Sequence, residues 1–231
     1  MRILALECAS VSASVAVAQD SECICSDFVK SGLTHSQTLM PMLEKLLTQN
    51  KIDINSIDVF ACTAGPGSFT GVRIGVSALK GLAEPQNKPC FAVSALEAIA
   101  YPHRSFDGIV CSVMDARCNQ VYTASFCGSE RLFEDEAILI EELCEKLKKL
   151  KKTVIFAGDG AELVYNQLKD RLDCVIADEN ERYPTAKSVA LLTFEKLQNG
   201  ESTFDSSELL PLYLRLPQAQ RELNNKKIKG E

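Results

Sequence analysis

The order of the predicted secondary-structure elements is the same in both halves of this chain, and this repetition constrains the fold most. Short apolar or alternating runs predict strands, and longer runs with helical spacing predict helices. The first half contains predicted strands at 3–6, 14–18 and 23–29, a helix at 36–49, a strand at 58–63, a helix at 69–83, a strand at 89–93 and a helix at 94–101. The second half contains predicted strands at 108–114, 121–126 and 137–140, a helix at 141–151, a strand at 153–157, a helix at 161–169, a strand at 174–177 and a helix at 185–198.

Both halves therefore follow the order βββαβαβα, which predicts an α/β fold of two similar layers that face each other across a cleft. We place an N-terminal domain at 1–104 and a C-terminal domain at 105–213, and expect residues 214–231 to pack back on the first. In each half the first strand ends in an acid, Glu7 or Asp115, followed by a tight turn. In a doubled fold these two carboxylates are expected to face each other. The layout resembles the actin-like ATPase, hexokinase and Hsp70 superfamily.

The charge and the cysteine pattern exclude several classes of function. The net charge is −6, so the surface as a whole repels nucleic acid. The ten cysteines include no Cys-x-x-Cys pair, and His35 and His103 are far apart, so no metal site and no disulfide framework is predicted. There is also no secretory signal pattern and no apolar run long enough to span a membrane. These features predict a cytoplasmic globular protein with reduced thiols.

The richest motif is the glycine-rich segment from Gly65 to Gly75. Glycines at a strand-to-helix turn let backbone N–H groups approach an anion. The segment matches neither a P-loop nor a dinucleotide fingerprint. We favour packing, with Gly71 and Gly75 admitting a neighbouring helix, and expect Ser68 to cap the helix that follows.

Helix 36–49 carries an apolar stripe widened by Met40 and Met42. Such a broad face suits either an adaptable contact surface or a helix buried on two sides. His35, just before it, is expected to cap the helix or lie at the surface. Thr34 and Ser36 are the candidates for the N-cap.

Two groups in the second half are candidates for a cleft. Asp115 and Arg117 on one turn could hold a phosphate or metal, or could only pin the turn, which we favour. Gly158 and Gly160, between a strand and a helix, occupy the place where the superfamily contacts adenosine, and they also suit an ordinary turn. No nucleophile elbow and no zinc-peptidase signature is present.

The motif sequence resembles that of the TsaB (YeaZ) family. The resemblance rests on the segment Gly-Pro-Gly-Ser-Phe-Thr-Gly-Val-Arg-Ile-Gly, on His-Ser-Gln opening the helix at 36–49, on Met-Asp-Ala-Arg at 114–117 and on Pro-Leu-Tyr-Leu-Arg at 211–215. It spans essentially the whole chain in the same order. The motif residues are His35, Gly65, Pro66, Gly67, Ser68, Phe69, Thr70, Gly71 and Arg73.

The resemblance implies a duplicated actin-like fold and a noncatalytic subunit in the formation of threonylcarbamoyladenosine at position 37 of ANN-decoding tRNAs. It implies pairing with the transferase TsaD, recruitment of the ATPase TsaE, and a homodimer when alone. It also implies that ATP and magnesium are handled by the partner subunits and that tRNA is reached through the complex. By helical spacing, the expected partner-binding residues are Leu39, Met42, Leu43, Leu46, Val72, Arg73, Val76, Leu79 and Lys80.

One departure from the family concerns nucleotide binding. The family pattern Asp-Thr-Ser/Ala after the first strand is here Glu7-Cys8-Ala9-Ser10. A vestigial nucleotide cleft would comprise Glu7, Asp115, Arg117, Gly158 and Gly160. The alternative function is an ATP-dependent phosphotransferase or ATPase that uses Glu7 and Asp115 around magnesium.

The end of the chain has a basic bias, at Arg215, Arg221, Lys226, Lys227 and Lys229. This tail is either a solvated terminus or a segment that approaches tRNA within the assembled complex.

Overall fold

The structure, a computed structural model, describes residues 1–215, in which two five-stranded sheets with the same strand order are present. The first half contains β1 (Arg2–Glu7), β2 (Ala13–Gln19), β3 (Glu22–Val29), α1 (His35–Gln49), β4 (Val59–Gly65), α2 (Phe69–Ala83), β5 (Cys90–Ser94) and α3 (Ala95–Ala100). The second half contains β6 (Ile109–Asp115), β7 (Gln120–Cys127), β8 (Glu130–Leu139), α4 (Ile140–Lys148), β9 (Val154–Ala157), α5 (Ala161–Leu168), β10 (Cys174–Ile176) and α6 (Ala186–Gln198).

The two sheets have the orders β3-β2-β1-β4-β5 and β8-β7-β6-β9-β10. In each sheet the first three strands of the half are antiparallel, and the remaining pairs are parallel. The predicted duplicated α/β fold of the actin-like type is therefore confirmed, strand for strand.

The third helix of each half packs on the sheet of the other half. α3 contacts β6 and β7, and α6 contacts β1 and β2. Ala186, Val189 and Ala190 of α6 lie against Ile3 and Ala5 of β1 in one core cluster. Leu96 and Ile99 of α3 share another cluster with Val110 and Phe126 of the second sheet. The halves are thus joined by buried apolar surface, and the boundaries placed at 104 and 213 stay a prediction.

The outer faces of the sheets are covered by the other helices. α1 packs on β2 and β3, and α2 packs on β4. α4 and α5 cover the second sheet, where Leu143 and Val164 contribute to a third core cluster. The cleft therefore lies at the carboxyl ends of β1, β4 and β6, where the turns that follow these strands meet.

Two element boundaries differ by three or more residues from the sequence expectation. β8 begins at Glu130, seven residues before the predicted strand, because it is an edge strand with half-exposed polar residues that hide the alternation. α4 ends at Lys148, and Lys151, where the helix was predicted to end, has a φ of 51° that an α-helix does not allow.

Candidate functional site

The cleft is a cavity of about 520 Å³ whose walls come from both halves and from the end of the described chain. The first half contributes the turn after β1 and the start of α2, and the second half contributes the turn after β6 and Asp159. Residues 212–215 form part of its wall.

Glu7 does not line this cleft, which corrects the expectation that it faces Asp115 there. Its side chain is fully buried, with Oε1 accepting the Ala9 N–H at 2.6 Å and the Thr63 hydroxyl at 3.5 Å. Oε2 has no hydrogen-bond partner within residues 1–215. Burial raises the pKa of Glu7 to about 8, aided by the nearby Asp159 carboxylate. At neutral pH the group is therefore mostly protonated, which does not suit a magnesium ligand.

Asp115 does line the cleft, and its carboxylate binds its own turn. It accepts the backbone N–H of Arg117 at 2.7 Å and the Arg117 guanidinium at 3.1 Å. The Arg117 side chain is 82% exposed. Arg117, Cys118 and Asn119 all have φ between 56° and 67°, a left-handed turn that these bonds help to hold. This geometry supports the turn-pinning interpretation of the Asp115–Arg117 pair.

Asp159 is the cleft carboxylate that the sequence analysis did not select. It accepts the backbone N–H of Asp115 at 3.3 Å. Burial raises the pKa of Asp159 to about 6. Asp159 lies between two glycines at the carboxyl end of a parallel strand, and this position could have identified it in the sequence as a cleft residue.

Gly158 and Gly160, which flank Asp159, serve backbone packing. Gly158 has a φ of 111°, and a Cβ there would collide with the carbonyl of Val113. A Cβ on Gly160 would lie 3.0 Å from the backbone nitrogen of Asp115. These glycines let the turn after β9 press on the end of β6, and this role needs no adenosine.

The glycine-rich motif packs against the turn after β1. Cβ atoms on Gly67 and Gly71 would collide with the carbonyls of Ala9 and Cys8, and one on Gly75 would lie 2.8 Å from Cys8 Sγ. The packing role is thus supported, but the expected neighbour is corrected. The element admitted is the β1–β2 turn and not a helix, because β1 ends beside the start of α2.

Capping residues and His35 hold the same corner together. Ser68 caps α2 as predicted, its hydroxyl accepting the Gly71 N–H at 3.2 Å. His35 Nε2 lies 3.0 Å from the carbonyl oxygen of Ser10. Thr34 occupies the N-cap position of α1, but its hydroxyl bonds the Gln37 side chain and no backbone N–H.

A C-terminal strap, residues 209–215, runs across the first half to the second. The Leu212 N–H donates to the Ala64 carbonyl at 2.7 Å, and the Tyr213 ring stacks on Phe69 at 4.6 Å. The Arg215 guanidinium donates to the Ala116 carbonyl of the second half at 2.5 Å. The Pro-Leu-Tyr-Leu-Arg motif was the sequence signal for this segment. Residues 216–231, which carry the rest of the basic tail, lie outside the described residues.

The expected partner-binding residues are mostly inside the protein. Seven of them are buried in its own core, where α1 and α2 pack on the first sheet: Leu39, Met42, Leu43, Leu46, Val72, Val76 and Leu79. Lys80 donates to the carbonyls of Ser207 and Leu209, and only Arg73 is well exposed. This prediction was wrong for the seven, because helical spacing identifies an apolar stripe without saying what covers it.

The opposite sides of α1 and α2 carry exposed and half-buried residues, and we call this surface the outer helix face. It comprises Met40, Glu44 and Leu47 of α1 and Arg73, Ile74, Ser77, Ala78, Gly81 and Leu82 of α2. Met40, Leu47 and Leu82 line an apolar groove of about 540 Å³. Gly81 is exposed, and nothing lies within 4 Å of where its Cβ would be. Small residues on such a surface let another backbone approach closely.

Residues 1–215 contain no group of three His, Cys, Asp or Glu side chains arranged to hold a metal ion. No helix among them is long and apolar enough to cross a membrane.

Comparisons with known proteins agree with the motif analysis. The family model of TsaD, tRNA N6-adenosine threonylcarbamoyltransferase, matches residues 30–223. The TsaB protein of Bacillus subtilis, named a tRNA threonylcarbamoyladenosine biosynthesis protein, is 31% identical over 95% of this chain and 96% of its own length. The Escherichia coli protein of the same name is 30% identical over 98% of this chain and 100% of its own.

A solved structure shows the same fold. It is a Pseudomonas aeruginosa protein described as similar to the peptidase YeaZ, with a TM-score of 0.80 and 26% identity. The match covers 93% of this chain and 99% of that one.

Proposed function

The chain belongs to the TsaB family of tRNA threonylcarbamoyladenosine biosynthesis proteins, and from this membership we propose that it is a noncatalytic subunit of that pathway. It pairs with and activates the transferase TsaD and helps to recruit the ATPase TsaE. The product is threonylcarbamoyladenosine at position 37 of ANN-decoding tRNAs, and the chain reaches tRNA through the complex in the cytoplasm.

The observation that carries the pairing role is Gly81 on the outer helix face. A glycine in a helix interior costs about 1 kcal/mol relative to alanine. Nothing within 4 Å of its Cβ position requires a glycine there. Close approach of a partner helix would supply the reason, because a side chain at this position would hold the two backbones apart. Ser77 and Ala78, one turn away, are small for the same purpose.

The apolar groove beside Gly81 supplies the rest of the contact surface. Met40 is 43% exposed on α1 and is a flexible side chain that adapts to a partner's shape. Leu47 and Leu82 are half-buried at the edge of the core, so a docking helix can complete their burial. The same surface serves the homodimer that we propose for the chain alone.

Activation follows from differential binding. A docked subunit favours the competent conformation of the transferase only by as much as it binds that conformation more tightly than the others. The rigid attachment of α1 and α2 to the first sheet supports this role, because a helix pair anchored in a core transmits its position to the partner.

The alternative, an ATP-dependent phosphotransferase or ATPase that uses Glu7 and Asp115, is not favoured by the cleft. Glu7 is buried and Asp115 is engaged with Arg117. A Cβ on Gly67 or Gly158 would collide with backbone carbonyls of the same chain, so packing explains these glycines without a bound phosphate.

Size-exclusion chromatography with light scattering tests the proposal on the full chain, alone and mixed with TsaD of the same organism. We expect a homodimer that exchanges into a one-to-one heterodimer. A chain that remains separate from TsaD at micromolar concentrations would contradict the proposal. Restoration of threonylcarbamoyladenosine in tRNA of a strain lacking its own TsaB, measured by mass spectrometry of nucleosides, tests the pathway role separately.

A contact between the basic C-terminal tail and tRNA is proposed from the charge of the tail alone. Arg215, its first residue, is anchored to Ala116 beside the cleft. Binding of tRNA to the complex with a chain truncated after Arg215 tests whether the later basic residues contribute. An unchanged salt dependence would contradict a tRNA contact.

A further inference from the structure

Arg73 is the one exposed cation of the outer helix face within residues 1–215 whose side chain is held rigidly. Its guanidinium carbon lies 3.8 Å from the centre of the Phe69 ring and 5.6 Å from that of Tyr213. Its Nε donates to the Tyr213 hydroxyl at 2.7 Å. The two rings are themselves stacked, so the guanidinium rests on an aromatic platform built by α2 and the C-terminal strap.

The contacts with Phe69 and Tyr213 leave the two Nη groups of Arg73 without a side-chain partner within residues 1–215. Arg73 forms no salt bridge within residues 1–215, and its only hydrogen bond to another side chain there is made by Nε. The two Nη groups present four N–H donors in one plane. A planar fork of this kind matches a carboxylate, which accepts two parallel bonds from it.

The held conformation favours binding. An arginine side chain loses rotamer entropy when it is fixed in a complex. Stacking on Phe69 and bonding to Tyr213 restrict the side chain before any partner arrives, so less entropy is lost on association. Arginine beside apolar and small residues is also typical of the residues that dominate binding energy at interfaces.

The surroundings favour a protein carboxylate over a nucleic acid. Lys80, the nearest other cation of α2 on this side, is engaged with the carbonyls of Ser207 and Leu209. The neighbouring positions of α2 on this side are uncharged: Ser77 is exposed, and Ile74 and Ala78 are half-buried. Binding of a phosphate backbone requires several cations in a row. A single fixed guanidinium at the edge of a small apolar surface instead matches one acid at the edge of a protein interface.

We infer that Arg73, oriented by Phe69 and by Tyr213 of the strap, binds an Asp or Glu side chain of the partner transferase in a bidentate pair at the edge of the outer helix face. This inference rests on the proposed function. It adds that the C-terminal strap orients an interface residue, because the Tyr213 hydroxyl accepts a hydrogen bond from Arg73.

The test measures the affinity of the full chain for TsaD of the same organism by isothermal titration calorimetry. Arg73→Gln removes the charge, Arg73→Lys keeps the charge and loses the fork, and Tyr213→Phe keeps the ring and loses the hydroxyl. Lys187→Gln, at an exposed position of α6, is the matched control. We expect Arg73→Gln to weaken binding at least tenfold and Arg73→Lys to recover little of it. Tyr213→Phe weakens binding a few-fold, and the control stays at the wild-type value.

Thermal unfolding of each isolated variant separates binding from folding. Unchanged unfolding midpoints together with the weakened binding support the inference. Wild-type affinity in Arg73→Gln overturns it and leaves the proposed function standing, whereas a wild-type chain that does not bind TsaD refutes the proposed function itself. An Arg73→Gln variant that loses the homodimer but still binds TsaD normally also overturns the inference. The carboxylate that pairs with Arg73 would then belong to a second copy of this chain.

Discussion

The carbonyl oxygen of Leu212 lies where a side chain on Gly65 would begin. Gly65 ends β4 and Leu212 belongs to the C-terminal strap, so residues almost 150 positions apart are packed backbone to backbone. The neighbouring bond, from the Leu212 N–H to the Ala64 carbonyl, fixes the strap along the end of β4. The glycine motif therefore holds two chain segments, the β1–β2 turn and the strap, at one corner of the cleft.

Substitution of Gly65 is expected to destabilise the protein. Gly65 has a φ of 126°, which L-residues rarely adopt, and an alanine Cβ would collide with Leu212. Gly65→Ala should lower the free energy of unfolding by about 2 kcal/mol or more, measured by urea denaturation. Gly81→Ala is the matched control, because it lies in a helix in open space and should be neutral or stabilising by up to ~1 kcal/mol. Equal effects of the two substitutions would contradict the packing role of Gly65.

A bulky residue at Gly81 is expected to block assembly without unfolding the chain. No atom of the described chain lies within 4 Å of the Cβ position of Gly81, so a phenylalanine there begins in open space. Its ring would protrude from the outer helix face. We expect loss of the heterodimer with TsaD in light scattering and an unchanged circular dichroism spectrum. Lys187→Phe, on the exposed side of α6, serves as the control for added hydrophobic surface.

Substitutions in the apolar stripe selected by helical spacing cannot test assembly in this way. Leu43 and Val76 are buried at 2% and 4% exposure, so Leu43→Asp or Val76→Asp places a charge in the core. Such variants should unfold, with a loss of several kcal/mol, and their failure to pair would carry no information about the interface. A folded Leu43→Asp variant would contradict the position of α1 described above.

Stability is expected to fall as pH rises through the neutral range because of Glu7. The pKa of Glu7 is about 8 in the folded protein and near its usual value of 4.5 in the unfolded chain. Between these values the folded state binds the additional proton, so raising the pH favours unfolding, by up to several kcal/mol in all. Asp159, with a pKa of about 6, contributes in the same direction at lower pH.

Glu7→Gln isolates this effect, since the amide has the shape of the protonated acid. We expect the variant to show a flatter dependence of unfolding free energy on pH between 5 and 8, and to be more stable than wild type at pH 8. Measurement by urea denaturation at each pH gives the slope. A wild-type slope that Glu7→Gln leaves unchanged would show that the pKa of Glu7 is the same in the folded and unfolded states.

Nucleotide binding by the isolated chain is expected to be absent. Gly67, Gly71 and Gly158 pack against backbone carbonyls of the same chain, and Glu7 is buried outside the cleft lining. Titration with ATP or ADP and magnesium, followed by calorimetry, should give no heat above dilution. Binding that is present in wild type and lost in Asp115→Ala would favour the phosphotransferase alternative instead.

Local patterns predicted the elements well where one physical cause dominates. The short apolar runs of β1, β4, β6 and β9 are buried on both faces, and burial on both faces produces such a run whatever the neighbours are. Ser68 was predicted as a cap because a serine hydroxyl just before a helix can accept a hydrogen bond from a free backbone N–H of the first turn. β8 was predicted short because its exposed edge relaxes the alternation on which the prediction depends.

The candidate site was predicted less well, because its residues have more than one possible environment. Glu7 and Asp115 occupy equivalent positions after equivalent strands, yet one is buried and protonated and the other lies in the cleft. The difference lies in the surroundings of each acid: Glu7 is fully buried and bonded to Ala9 and Thr63, whereas Asp115 is half-exposed and bonded to Arg117. Thr63 is 56 residues from Glu7 along the chain, so the pattern of the first strand does not show that it lies beside this acid.

The sequence by itself determined the duplicated order of elements, the family motifs and the positions of the two helices that we propose as the partner surface. Periodicity alone achieves this, because side chains must alternate or repeat to bury one face of any strand or helix. Only the tertiary structure decided which face of α1 and α2 is covered by the chain's own sheet and which remains open, and that Tyr213 orients Arg73. Burial is a property of what lies opposite a side chain, and segments distant along the chain supply that.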